Sequence, residues 1–434
     1  MTSNSTWPQW QKILFRFICI YFILYSEPLV WLAAVPGLKY VTEYYYIVLD
    51  WMVNTFNTYV FHLQEKLVPA NGSGDTSYVW VQLVMNLALA ALGALIWTLI
   101  DYRKPNYEKT AYYFRTVLRY YVAMVAFLYG IIKIFGQQMV FPDLSQLATP
   151  LGDYLPMRLS WLFIGYSEPY QIFSGIMEVL VGLLLLNRKT VRLGVLIGLG
   201  VFINVMMLNL CYDIPVKLFS IHIVIYCCIL LLHDYRSLLN FFIYNKQAAA
   251  EKKYYVPDFS KKMSKYTRIT LKLLFIIVFV GMTFYESYSY RKQATESYTN
   301  MPIPRGIYNI KTFVVNSDTI PISASDSLVW KDIIFNNNRG GSVNSCDTLF
   351  NIRYHRGYFN YTADTIKKTL QCYKRKTTGD SIYLFTLKYN FTERDKIHFK
   401  TKIKNDSVSI EAVKSVRKFQ LAERQFHWLS EYNR

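Results

Sequence analysis

The stretch from Leu208 to His222, LNLCYDIPVKLFSIH, places polar and ionisable side chains between two long apolar segments. Its polar members are Asn209, Tyr212, Asp213, Lys217 and His222. An unpaired ionisable group beside hydrocarbon costs several kcal/mol, so each needs a partner. Together these side chains could exchange protons and hydrogen bonds with a ligand that enters from the lipid.

Charged residues in neighbouring apolar segments could complete this site. Lys133 has Tyr129 and Gln137 four residues on either side, which gives a helix one polar stripe. Glu178 follows Gln171 and Ser174 at spacings typical of a second stripe. We predict that both stripes face the 208–222 stretch, with Lys133 paired to Glu178 or to Asp213. The catalytic candidates are Asp213, Lys217, His222, Glu178 and Lys133, and the ligand-binding candidates are Tyr212, Asn209 and Gln137.

Each candidate also has a structural interpretation. Asp213, close before Pro215, is typical of a helix start, and Asn209 of a helix end. Lys217 could extend to the membrane interface, and His222 could hydrogen-bond between helices. Convergence of ionisable residues from several segments at similar depth favours the functional interpretation.

The elements that must position these residues are membrane helices, since the chain is 53% hydrophobic and has long apolar runs. The sequence predicts seven spans: Ile13–Val35, Tyr78–Ile100, Ala111–Phe135, Tyr170–Leu186, Val191–Leu210, Leu218–Leu232 and Thr270–Tyr288. Residues 42–63 have helical apolar spacing interrupted by Asp50 and Asn54, which predicts either a helix lying flat at the interface or a short helix packed over the bundle. The proline-rich residues 136–169 predict short helices over the outer mouth of the bundle.

Lysine and arginine are concentrated in alternate connections. The loops at 101–119, 188–192 and 234–268 are rich in basic residues, whereas the intervening loops hold few. This bias predicts a cytosolic N-terminus, a C-terminal region outside, and a multi-pass protein of the cytoplasmic (inner) membrane.

From about residue 291, alternating apolar and polar residues with NNNRGG and TTGD turn signals predict an antiparallel β domain of roughly six to eight strands, a sandwich or partial barrel. Its tail is predicted to dock through Phe426 and Trp428. The predicted domains are a helical membrane domain at 1–245, a basic linker and last span at 246–290, and an extracytoplasmic β domain at 291–434. Residues 289–434 carry 24 basic and 13 acidic side chains, a net +11 of the total +19. Since the rest of the excess lies mostly in the predicted cytosolic loops, we do not expect a nucleic-acid partner.

Several redox and metal chemistries lack the required residues. The predicted spans contain His222 and, at an edge, His233, both on the sixth, so a bis-histidine haem is not expected. No His or Cys cluster has zinc spacing, and no CxxC is present. Cys346 and Cys372 lie in the β domain and could form a disulfide or remain two buried thiols.

Residues 10–245 resemble the DoxX family of bacterial membrane proteins, in an enlarged form. The similarity is carried by GSGDTS at 72–77, YGIIKIFGQQ at 129–138, GDYLPMRLSWLFIGYS at 152–167, GIMEVLVGLLLL at 175–186 and NLCYDIPVKLFSIH at 209–222. This resemblance implies a helical bundle and, for some members, participation in quinone-linked sulfur or thiol oxidation. The chain differs by its extra spans and its outer domain.

Two functions follow as hypotheses. The first is an oxidoreductase component that binds quinone at an outer-leaflet site, where Tyr212, Lys217 and His222 would supply donors. The second is a non-enzymatic module that binds membrane lipid or a partner helix in the bundle and a partner protein through the outer β domain.

Overall fold

The computed structural model describes residues 6–30, 37–70, 74–247, 255, 262–298, 301–322, 329–345, 347–375, 380–403, 405–424, 426–429 and 431. The chain forms two compact units, Met1–Ile134 with Ile172–Phe284, and Phe135–Gln171 with Tyr285–Arg434. The first is helical and the second contains an antiparallel β-barrel, which confirms the predicted fold class. The domain boundaries predicted at residues 245 and 290 stay a prediction.

Thirteen α-helices occur in the described ranges. They are α1 (Gln9–Ser26), α2 (Lys39–Phe56), α3 (Ser77–Ile100), α4 (Glu108–Ile134), α5 (Leu144–Leu147), α6 (Pro156–Tyr166), α7 (Glu168–Leu186), α8 (Val191–Cys211), α9 (Lys217–Leu232), α10 (Tyr235–Phe242), α11 (Lys262–Phe275), α12 (Thr283–Tyr298) and α13 (Gln420–Glu423). A π-helical segment, Ile276–Met282, joins α11 to α12, and another, Asn57–Phe61, extends α2.

Five of the described helical segments are long and apolar enough to cross a membrane: Ser77–Ile100, Glu108–Ile134, Glu168–Leu186, Val191–Cys211 and Tyr266–Thr295. A sixth results if α9 and α10, which meet at 82°, form one broken span. The protein therefore has the helices of a multi-pass membrane protein. The seven-span count and the orientation stay predictions, because α1 does not meet the same criterion of length and composition.

Helix α1 carries a buried arginine that forms hydrogen bonds to three other residues. Arg16 is 0% exposed and donates through Nη1 to Thr98 Oγ1 (2.8 Å) and through Nη2 to the Asp101 carbonyl (3.0 Å). Its Nε and Nη2 also contact the Tyr107 hydroxyl, which in turn donates to Asp101 Oδ2 at 2.8 Å. This hydrogen bond is the main cause that lowers the pKa of Asp101. The network fastens α1 to the connection between α3 and α4.

Helix α2 packs on α3 through a small apolar core. Leu49 and Val53 of α2 are buried against Tyr78, Val81 and Met85 of α3. This is the helix predicted over residues 42–63, and its packing favours the interpretation as a helix packed on the bundle.

The β-barrel closes because its first and last strands pair. Its strands are β1 (Gly306–Val315), β2 (Asp318–Thr319), β3 (Asp332–Phe335), β4 (Gly340–Val343), β5 (Asn351–Arg353), β6 (Arg356–Asp364), β7 (Thr369–Arg375), β8 (Ser381–Glu393), β9 (Lys396–Ile403) and β10 (Asp406–Lys414). The ring runs β1-β3-β4-β6-β7-β8-β9-β10 and returns to β1, with β2 and β5 outside it. Closure removes the exposed sheet edges.

Aromatic side chains fill the barrel interior. Trp330 is 1% exposed and lies 5.7 Å from the ring centroids of both Phe350 and Phe385. Cys372 is buried in this core, whereas Cys346 lies outside the described residues, so their pairing stays open.

The proline-rich 135–171 segment does form short helices, and it folds with the barrel. Ser145 at the start of α5 is fully buried, and its hydroxyl contacts Ser342 Oγ of β4 at 2.8 Å and Asn336 Nδ2 at 3.0 Å. Arg356 continues the network to Ser342 and to Asp332. The predicted docking of the C-terminal tail is wrong, because Phe426 and Trp428 are mostly exposed and contact each other edge to face.

Candidate functional site

The predicted ion pair across the bundle is present. Lys133 Nζ on α4 donates to Glu178 Oε1 on α7, and the two residues are 5% and 2% exposed. Glu178 Oε2 is also buried and has no hydrogen-bond partner within the part of the chain that the structure describes. Loss of either partner would leave a buried charge uncompensated. The pair therefore holds α4 to α7, and its role in chemistry stays a prediction.

Two glycines bring these helices together beside the pair. A Cβ added at Gly175 would lie 2.5 Å from the Gly130 carbonyl oxygen and 2.9 Å from Lys133 Cβ. A Cβ at Gly130 would lie 2.8 Å from the Gly175 carbonyl oxygen. Only hydrogen fits at both positions, so the α4 and α7 backbones approach closely enough for Lys133 to reach Glu178.

The connection between α8 and α9 satisfies its own polar groups. Lys217 Nζ donates to Asp213 Oδ1 at 2.7 Å, and the Asp213 side chain is 81% exposed. Asp213 has a left-handed backbone, with φ of +49°. Asn209 is buried, and its side-chain nitrogen donates across the turn to the Val216 carbonyl at 3.5 Å, while Tyr212 is exposed. Lys133 therefore pairs with Glu178, and Asp213 pairs locally.

The residue that caps α9 comes from a distant loop. Asp75 accepts hydrogen bonds from the backbone nitrogens of Lys217 (2.6 Å) and Leu218 (3.2 Å). Its own backbone nitrogen donates to the Pro215 carbonyl at 2.9 Å. A carboxylate at this position satisfies unpaired backbone donors and the helix dipole. The capping role considered for Asp213 thus belongs to Asp75, while Thr76 caps α3.

His222 lies among tyrosines. Its Nδ1 is 2.6 Å from the Leu218 carbonyl oxygen, which can only accept, so Nδ1 carries the proton. In the neutral ring Nε2 is then an acceptor for the Tyr21 hydroxyl at 2.6 Å. The Tyr25 ring stacks on the imidazole, with centroids 3.6 Å apart and planes 11° apart. Tyr226 lies against its edge.

Gln137 lies outside the stripe predicted for α4. The helix ends at Ile134, and Gly136 then adopts φ of +68°, so Gln137 no longer follows the helical period. Its Nε2 donates to the Ser287 carbonyl at 2.6 Å within the barrel-containing unit. The other predicted residues belong to the helical unit, where no described hydrogen bond or ion pair joins Lys133–Glu178, Asp213–Lys217 and His222 to one another.

A cavity of about 1020 Å³ lies in the helical unit, next to His222 and the tyrosines that surround it. Tyr25, which stacks on His222, lines it together with Tyr46 of α2, Tyr78 of α3 and Tyr121 of α4. None of the predicted site residues is among the described residues that line it. The polar residues of this cavity were not predicted from the sequence. A signal was available, because Tyr21 and Tyr25 lie four residues apart and therefore share one face of α1.

The cavity lining is acidic. Its described residues include Glu27, Asp50, Glu65 and Asp75, against one basic residue, Lys66. Asp75 is used in capping α9. The Glu27 carboxylate accepts a hydrogen bond from Gln82 Nε2, also in the lining.

The Tyr46 phenol in the lining stays protonated. Burial, and then the Glu27 charge, raises the pKa of Tyr46. Such phenols can donate hydrogen bonds, and their ring faces attract cations. Among the described residues, no group of three His, Cys, Asp or Glu side chains could hold a metal ion.

Comparison with known proteins finds a relative of part of the chain. No family model matches the chain, and no solved structure matches it significantly. The uncharacterized protein YwoB of Bacillus subtilis (strain 168) is 33% identical over 128 residues, which are 29% of this chain and 79% of YwoB. The chain therefore belongs to the same family as YwoB.

Proposed function

We propose that the helical unit is a membrane-embedded binding module for an amphiphile with a positively charged head. The observation that carries this proposal is the lining of the 1020 Å³ cavity, whose described residues include four tyrosines, four carboxylates and one lysine. Aromatic faces combined with carboxylates are the usual recognition elements for alkylammonium groups.

The cavity also offers an apolar wall for a hydrocarbon chain. Leu83 of α3 and Leu218 and Phe219 of α9 line it beside the polar residues. A concave site with apolar walls and a few convergent polar groups is typical of small-molecule binding. The head would contact Glu27 and the tyrosines, and the chain would contact the apolar side.

A second candidate function is favoured by the Tyr21–His222 hydrogen bond and by the resemblance to the DoxX family. Tyr25 lines the cavity and stacks on His222, so only the Tyr25 ring would separate a quinone bound there from the protonatable imidazole. In this role His222 and Tyr21 would exchange protons with the carrier, and Tyr25 and Tyr121 would bind its carbonyl oxygens. The chain would then be one component of a quinone-linked oxidoreductase.

One extraction experiment separates the two functions. The full chain is purified in a mild uncharged detergent, and bound small molecules are extracted and identified by mass spectrometry. Retention of an ammonium-bearing lipid that falls in Asp50→Asn supports the binding module. Retention of quinone that falls in His222→Ala supports the redox component.

Glu43→Gln is the matched control for Asp50→Asn. Glu43 is another exposed carboxylate of α2, pairs with Lys39 on the surface and does not line the cavity. Equal retention of every extracted molecule in wild type, both variants and the control would overturn both proposals.

A further inference from the structure

A second groove in the helical unit has the opposite charge. It has a volume of about 740 Å³, and its basic lining residues are Arg119, Arg188, Lys189, Arg268 and Lys272. No acidic residue is among the described residues of its lining. The residues that line the groove come from other parts of the chain than those that line the acidic cavity. Tyr121 is the one described residue that lines both.

The walls of this groove are apolar. Met124 of α4, Leu186 at the end of α7 and Phe275 of α11 line it with the five basic side chains. The π-helical segment after α11 adds Phe279. A groove with a cationic end and a hydrocarbon wall is complementary to a molecule that carries an anionic head on an apolar chain.

One guanidinium in the groove has an unused donor. Arg119 packs over the Tyr120 ring, with its guanidinium carbon 5.0 Å from the centroid. Its Nε is buried and has no hydrogen-bond partner among the described residues. Since guanidinium donors match phosphate oxygens in geometry, a phosphate group beside Arg119 would complete its bonding.

Membrane topology alone does not require such a groove. A positive bias in cytosolic loops needs basic residues anywhere in those loops, and Arg103 and Lys109 are exposed examples that do not line it. Here each of the three loop regions predicted to be cytosolic sends a basic side chain to the same groove. These basic side chains are Arg119 from the first region, Arg188 and Lys189 from the second, and Arg268 from the third.

We propose that this groove is a binding site for an anionic phospholipid, with the phosphate at the basic side chains and an acyl chain along Met124 and Phe275. Apolar walls commit the site to a lipid rather than to a free anion. Among the described residues no charged side chain lines both this groove and the acidic cavity, so the basic residues can be substituted without changing the charged lining of the cavity.

The test uses the full chain in nanodiscs of phosphatidylcholine with increasing phosphatidylglycerol, followed by mild detergent extraction and lipid mass spectrometry. Wild type is expected to retain phosphatidylglycerol above its fraction in the nanodisc. Arg188→Gln with Lys189→Gln should lower this retention about 25-fold, because each basic side chain beside an anionic headgroup is worth about fivefold in affinity. These two residues lie in the short loop between α7 and α8, outside both helices.

Arg103→Gln with Lys109→Gln is the matched control, since it removes the same charge from exposed positions outside the groove. Equal loss of phosphatidylglycerol in the control and the groove variant would overturn the proposal. Arg119→Lys keeps the charge but replaces the planar guanidinium, whose donors match phosphate oxygens, with an ammonium. It should reduce the retention of phosphatidylglycerol without altering thermal unfolding. Displacement of the lipid by millimolar inorganic phosphate alone would also overturn it, because an isolated anion would then suffice.

Discussion

The Lys133–Glu178 pair shows how a buried charge in this bundle is compensated by one specific partner. We predict that Lys133→Met or Glu178→Met alone costs about 3–5 kcal/mol of stability, because each leaves one buried charge uncompensated. The double variant should be more stable than either single variant. Unfolding of all four proteins in detergent measures the coupling energy, and additive effects would contradict the pairing.

Residue-level prediction from sequence succeeded where both partners follow a helical period. The stripes through Lys133 and Glu178 indicate facing positions, so their pairing could be predicted. Asp213 could not be assigned, because a local i, i+4 partner, Lys217, competes with distant ones. Asp75 was missed as the cap of α9, since it lies 142 residues away along the chain and only tertiary packing brings it there.

The N-cap of α5 gives a pH-dependent prediction. Asp143 forms a capping box with Gln146, and burial raises the pKa of its carboxyl above the ordinary range. A carboxyl with a raised folded-state pKa favours the protonated folded form. Its stabilising effect is therefore present at low pH and is lost as the pH rises from about 3.9, the unfolded value, through the folded pKa.

We predict that Asp143→Asn removes this loss while keeping the cap, because Asn caps helices about as well as Asp. Asp143→Ala also removes the cap, so it should be about 1 kcal/mol less stable than Asp143→Asn at every pH. Hydrogen exchange of the α5 amides in the full chain, followed from pH 4 upward, measures both. An Asn variant with an unchanged pH profile would contradict the assignment.

At the scale of elements, the α4–α7 contact depends on two glycines, which have no side chain to keep the backbones apart. Gly175→Ala is predicted to destabilise the bundle by about 1–3 kcal/mol, because its Cβ would overlap the backbone oxygen of Gly130. Gly200→Ala on α8 is the control, because no neighbouring atom lies within 4 Å of a Cβ added there. This change should stabilise the helix by up to about 1 kcal/mol. Thermal unfolding in detergent compares them, and equal effects of the two changes would contradict the close approach.

Helix existence could be predicted from apolar length, whereas helix ends depended on single backbone conformations. The stripe through Lys133 was extended to Gln137, but the positive φ of Gly136 follows the end of α4 and turns the chain away. Alternation of side chains predicted the β domain. Closure into a barrel depends on the pairing of β1 with β10, which strand patterns alone do not specify.

At the scale of the whole molecule, the chain combines a helical membrane unit with a barrel-containing unit. The 135–171 segment contributes to the barrel-containing unit through buried Ser145 and its contacts with Asn336 and Ser342. This could not be predicted, because hydroxyl and amide side chains carry no periodic signal. A partner protein for the β domain stays a prediction.

The predicted orientation can be measured by labelling. In a background with native cysteines replaced by serine, Ile366→Cys introduces a thiol in the exposed turn between β6 and β7, and Ile243→Cys introduces one just after α10. In intact cells made permeable only at the outer membrane, a membrane-impermeant maleimide should label position 366 and leave position 243 unlabelled until lysis. Labelling of 243 before lysis would contradict a cytosolic connection there.

The proposal that the tyrosine- and carboxylate-lined cavity binds a cationic amphiphile is tested most directly by titration. Purified full-length protein in an uncharged detergent is titrated with an alkyltrimethylammonium and, separately, with an alkyl sulfonate of the same chain length. We predict saturable binding of the ammonium compound, weakened roughly tenfold in Glu27→Gln because losing a charged partner costs about 1.5 kcal/mol, whereas any binding of the sulfonate at the basic groove should be unaffected by this change. An ammonium affinity that Glu27→Gln leaves unchanged, or a sulfonate affinity that Glu27→Gln weakens equally, would contradict the proposal.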